Sequence, residues 1–177
     1  MAIAIESIPN TPNIPTTDQF KLSDLPAAVT AYLQDEVTVT VDPIVPAVTD
    51  ELQPDELGTF DVHVENGSIP LEEVWIHLTL ENVNRADFKV PTGATLSVRD
   101  AIDGNVLPGN SFVNEMFIQF LGGELDAEDT IDLHLTIRAQ NVGESDLQVH
   151  VHGDVAIDSL FPKRLRGHSS VTPIVVE

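Results

Sequence analysis

Cysteine is absent from this chain of 177 residues, which excludes thiol nucleophiles, cysteine-ligated zinc and disulfide staples together. Tryptophan and tyrosine occur once each, too few for the aromatic platform of a carbohydrate cleft. Lysine is confined to Lys21, Lys89 and Lys163, and lysine plus arginine total 8 against 29 acidic residues, a formal charge of -21. A field of that sign repels phosphate, so nucleic acid is excluded as a partner of the domain as a whole. The nucleophile elbow, the P-loop, H-E-x-x-H and the dinucleotide glycine fingerprint are all missing. The chain is therefore expected not to be an enzyme and to carry no cofactor. No apolar run approaches the ~20 residues that cross a bilayer. Met1 to Pro15 has neither a basic start nor an apolar core, so synthesis and use without classical secretion are expected.

What is present is aliphatic. Hydrophobic residues make up 42% of the chain, far above the content of disordered acidic sequences. One domain of this length buries roughly 70% of the surface that its unfolded chain exposes, so it needs no staple. A folded surface this acidic suits molar salt, where screening shrinks to a few ångströms and self-repulsion fades. A halophilic source is the expectation.

Residues 1–22 read as an extended arm. Pro9, Pro12 and Pro15 recur every third residue, which forbids helix, while Ile3, Ile5, Ile8 and Ile14 give the arm something to bury against a neighbour. A short helix is expected over residues 24–34, capped by Ser23 or Asp24 with Pro26 in its first turn. From residue 37 the period becomes two. Val37, Val39 and Val41 alternate with threonines. The same alternation runs through Phe60–Val64, Val74–Leu80, Leu96–Val98, Ile131–Ile137 and Leu147–Val155, with a last strand over Val171–Val176. Residues 112–121 are the most apolar stretch and are expected to lie centrally. The fold class is all-β: an antiparallel β-sandwich or single jelly roll of about eight strands, with residues 23–177 as the domain. The order of its strands is open at this point. A faint internal echo links Phe60–Asn66 and Val74–Ile76 with Leu135–Asn141 and Val149–Val151; two hairpins with asparagine turns account for it, and the alternative is two related halves of one sandwich.

Five histidines, His63, His77, His134, His150 and His152, fall on the polar phase of their strands. His150 and His152 point to one side, but no third ligand is fixed by the spacing, and the metal expectation is none. Gly122 to Asp129 gathers four carboxylates without the calcium-loop spacing, and reads as a solvated turn. Asn66-Gly67-Ser68 is a glycosylation sequon and also a favoured hairpin turn; turn chemistry is the expectation. Lys163, Arg164 and Arg166 place three of eight basic residues within four positions, suited to a partner subunit's carboxylates or, second, an anionic lipid surface.

The proline-spaced arm, one sandwich-sized β domain and the saline-adapted surface together resemble the small single jelly-roll major capsid proteins of internal-membrane icosahedral viruses of halophilic archaea. The resemblance implies a structural capsid subunit of the virion, assembled in the host cytoplasm. Its partners would be other capsid subunits, in homo- and hetero-oligomers close to a lipid membrane. The interface would be built from Ile3, Ile5, Ile8, Ile14, Lys163, Arg164 and Arg166, with Val171–Val176 as a second arm. Val62-His63-Val64-Glu65-Asn66-Gly67 and Ile137 to Gly143 also resemble the strand-turn of CARDB-like and other immunoglobulin-like repeats. That resemblance implies the alternative: a cell-surface adhesion or binding module.

Overall fold

The structure, a computed structural model, describes residues 37–44, 51–156 and 164–177. The expected arm and helix lie outside the described residues, as do Ile3, Ile5, Ile8, Ile14 and Lys163. Among the described residues the chain forms twelve strands and no helix. They are β1 (Val37–Ile44), β2 (Glu51–Leu52), β3 (Leu57–Asn66), β4 (Leu71–Leu80), β5 (Ala86–Lys89) and β6 (Leu96–Asp100). Then follow β7 (Phe112–Val113), β8 (Glu115–Phe120), β9 (Thr130–Ala139), β10 (Gly143–Val155), β11 (Arg164–His168) and β12 (Thr172–Val176).

Strict alternation decides how these strands stack. Phe60, Val62 and Val64 of β3 and Ile131, Leu133, Leu135 and Ile137 of β9 are buried, as are Val74, Ile76 and Leu78 of β4 and Leu147, Val149 and Val151 of β10. Each such side chain contributes about 1.5–3 kcal/mol when fully removed from water. Two sheets share this core. One runs β1-β3-β9-β5-β7; the other runs β2-β12-β10-β4-β8-β6, with β11 also paired to β10. All pairings between these strands are antiparallel except β2 with β12. The β-sandwich expected from the pattern is therefore present. Its order β1-β3-β9-β5 opposite β12-β10-β4 is the A-B-E-D and G-F-C arrangement of an immunoglobulin-like sandwich.

Some local expectations need correction. The apolar stretch 112–121 is not central. It changes sheets at Asn114, with Phe112–Val113 pairing β5 and Glu115–Phe120 lying one strand from the edge of the larger sheet. Asn114 Nδ2 fixes the crossing by donating to the carbonyls of Val83 at 2.8 Å and Ala86 at 3.1 Å. The two echoing segments are not hairpins. β3–β4 and β9–β10 each cross from the small sheet to the large one, and the two arches then pair strand for strand. Val171–Val176 is no free arm, since Thr172, Ile174 and Val176 are buried in β12 beside β10.

β10 is long enough, at 13 residues, to use two partners on one side in succession. It pairs β12 along Gly143–Leu147 and β11 along His150–Asp154. Buried Ser169 joins the two, its N–H donating to Val149 O at 2.8 Å and its Oγ accepting from Val149 N at 3.1 Å. β1 of the opposite sheet closes over β11 at Gly167, where a Cβ would sit 2.4 Å from Val37 O. Only glycine allows that approach.

Candidate interaction face

The outward residues of β6, β8, β4, β10 and β11 line up in two rows across five strands. Arg99, Phe117, His77, His150 and His168 are successive cross-strand partners, and so are Ser97, Gln119, Trp75, His152 and Arg166. The rows follow from period two: Val98, Met116, Ile118, Ile76, Leu78, Val149, Val151 and Leu165 turn inward and are buried, so their neighbours must turn out. His77 stacks on Phe117 with ring centroids 4.2 Å apart, and His150 lies 6.0 Å from His77 and 6.2 Å from His168. Directly opposite side chains on neighbouring strands are the contacts that organise a sheet surface.

These ten residues include four histidines, two arginines, a tryptophan and a phenylalanine, and no carboxylate. In a chain where 29 of 177 residues are acidic, that is a distinct chemical region. Acids stand at its border. Glu115 Oε1 accepts from His77 Nε2 at 2.6 Å, and Asp154 Oδ1 accepts from Arg164 Nε at 2.5 Å. Arg164 was expected to seek a partner's carboxylate; its charge is met within the chain. Arg166 is exposed beside His152 and keeps that role open.

Burial pushes the His150 imidazole below its ordinary range, and the neighbouring His77 and His168 push the same way. Burial does the same to His152, reinforced by Arg164 and Arg166. Both groups therefore bind protons more weakly folded than unfolded, and stability falls as pH drops through the unfolded histidine range near 6.5. His63 works in the opposite direction: its hydrogen bond to Asp132 raises its proton affinity, a contribution present in acid and lost as pH rises through the folded value. A His150→Gln/His152→Gln variant is expected to lose less melting temperature than the wild type between about pH 7 and pH 5. Identical pH dependence of the two proteins in thermal melts would discount the row as a source of acid sensitivity.

The remaining marked residues lie elsewhere. His63 and His134 project from the small sheet, held by Asp132 at 2.6 Å and Asp61 at 3.0 Å. His150 and His152 do share a side, but among the described residues no group of three histidine or acidic side chains is arranged to hold a metal ion. Glu124, Asp126, Glu128 and Asp129 are exposed around buried Leu125, which bridges to Leu71. The sequon asparagine is buried at 2% exposure, with Nδ2 directed at the carbonyls of Ile69, Leu125 and Asp126. It is a structural staple and unavailable to a glycosylating enzyme in the folded chain. Trp75, Phe117, His168 and Arg99 were not anticipated as functional. Alternation puts Trp75 on the outward phase of its strand, but the strand that carries His168 shows no such pattern, and the register that lines the four up is a tertiary property.

No protein-family model matches the chain, and no curated protein matches it. Solved structures do. The major pilin subunit of Bacillus cereus matches with a TM-score of 0.50 at 14% identity, over 80% of this chain and 40% of the pilin. The CARDB domain of a Pyrococcus furiosus protein matches with a TM-score of 0.42 at 12% identity, over 80% of this chain and 94% of the domain. The sixth cohesin of an Acetivibrio cellulolyticus scaffoldin, solved with a dockerin, matches with a TM-score of 0.48 at 10% identity, over 80% of this chain and 99% of the cohesin. At 14% identity the likeness to the pilin subunit is one of fold alone.

Proposed function

We propose that the chain is a non-enzymatic binding or assembly module of a cell surface, working through the outer face of its seven-stranded sheet. The observation that carries this reading is the carboxylate-free array of ten residues on that face of an otherwise strongly acidic chain. Half-exposed aromatic and imidazole rings on a rigid sheet offer contact area at little entropic cost. The fold shared with a major pilin subunit supports a surface role, at the level of one module, since the chain corresponds to 40% of that pilin. The capsid reading draws less support. The strand order is immunoglobulin-like, and the tail that would serve as a second arm is β12 of the sandwich.

Antibodies raised against the folded chain test this directly. They are expected to label intact, unpermeabilised cells of the organism that makes it. Labelling confined to released virus particles would restore the capsid subunit, and labelling only after permeabilisation would overturn the surface role.

A further inference from the structure

Building on that reading, we propose that the array docks onto the outer face of the five-stranded sheet of a second copy, so that copies stack head to tail. The two faces of one molecule are chemically complementary. Opposite the array, β1, β3 and β9 present Asp42, Asp61, Glu65 and Asp132 around His63 and His134. Asp42 lies across from Asp61, and Asp61 across from His134; His63 lies across from Asp132. Asp42 and Glu65 are exposed and, with Asp132, close enough to His63 to strengthen its hold on a proton. Arg138, farther along β9, is committed to Asp87.

Facing such a surface, Arg99 and Arg166 would meet carboxylates, while Trp75 and Phe117 would supply the apolar centre that a polar rim needs. The faces point away from each other across the sandwich, so the contact is heterologous: each docked copy leaves one free face at either end, and the product is an open linear stack. Together with the bordering rows that carry Glu115 and Asp154, five strands at about 4.8 Å spacing and about 20 Å of strand length give a total buried area of roughly 1,000 Å², at the low end of specific interfaces. Association in the micromolar range is expected, visible once about 0.15 M salt screens the long-range repulsion of the whole acidic chain.

Sedimentation velocity of the full chain across a concentration series, at about pH 8 and about 0.15 M salt, tests the stack. The sedimentation coefficient is expected to rise with concentration. Trp75, the single tryptophan, is expected to shift its emission to shorter wavelength in step, because it lies at the centre of the contact. A Gln119→Glu/Arg166→Glu variant loses one face and an Asp42→Asn/Glu65→Gln variant loses the other without supplying a new charge for the first to pair with; each alone is expected to remain monomeric. Mixed in equal amounts they retain one intact face each, and are expected to form a 1:1 dimer and nothing larger. That dimer also proves that both variants fold. A wild type monomeric at every concentration overturns the stack, as does association without change in Trp75 emission, or variants that associate like the wild type. None of these outcomes alters cell-surface labelling, so failure of the stack and failure of the surface role are separately visible.

Discussion

Arg138→Met is expected to destabilise the chain by about 3 kcal/mol, while Asp87→Leu combined with Arg138→Met recovers most of that loss. Asp87 sits in β5 directly across from Arg138 in β9, its side chain only 6% exposed. The arginine grips it with two bonds, Nη2 to Oδ2 at 2.6 Å and Nε to Oδ1 at 3.2 Å, and Gln140 Nε2 adds a third at 2.6 Å. The pairing raises the proton affinity of Arg138. Removing only the arginine leaves a buried carboxylate with one neutral donor, the situation that costs 3–5 kcal/mol in fully buried pairs. The lower end applies because the Arg138 side chain is 35% exposed, so water already weakens the pair. Removing both partners withdraws the desolvation cost along with the attraction. Urea unfolding midpoints at constant slope report the difference. A double variant as unstable as the single one would reassign the loss to Arg138 packing over the Phe112 ring at 4.0 Å.

That pair also shows where reading the sequence stops. Arg138 stood visibly on the polar phase of a strand, but Asp87 lies in a four-residue strand too short to announce itself by alternation. The long strands were legible because their inward positions are almost all Val, Ile, Leu or Phe, and period two admits no other interpretation. Which strand lies beside which is decided by long-range pairing, and nothing local carries it. The sheet crossing at Asn114 illustrates the same limit. Phe112 to Leu121 is apolar enough to pass for a central strand, yet its apolar content serves two sheets in turn, with Phe117 left outside to stack on His77.

The interaction face was half legible for the same reason. Placing His77, His150 and His152 on outward phases needs only alternation. Joining them to Arg99, Trp75, Phe117, Arg166 and His168 needs the registers of four strand pairs. The acidic excess obscured it further, because composition averages over a surface whose charges are segregated. A net charge of -21 suggests a protein that repels its own copies, but contact energies are set within a Debye length of about 8 Å, where the local pattern outweighs the sum.

Asn66→Asp, one atom's change in shape, is expected to cost about 4 kcal/mol near neutral pH, more than Asn66→Ala at about 2 kcal/mol. Asn66 ends β3 where the chain arches into β4, and its amide nitrogen lies 2.9 Å from Ile69 O, 3.1 Å from Leu125 O and 2.9 Å from Asp126 O. That one group ties the arch to the acidic loop, two segments about 60 residues apart in sequence. An alanine there loses the donors, each worth about 1 kcal/mol net, and leaves the carbonyls to find water. An aspartate does worse, since it sets an anion against three carbonyl dipoles in a buried position. The folded chain would respond by holding the aspartic acid protonated, raising its proton affinity above that of the unfolded chain. Stability is then lost as pH rises through the ordinary aspartate value of about 3.9, so the gap between Asn66→Asp and the wild type widens from about pH 4 to pH 7. Chemical unfolding at both pH values measures it. A constant gap, or an alanine variant worse than the aspartate, would mean that the amide's hydrogens do not hold the arch to the loop.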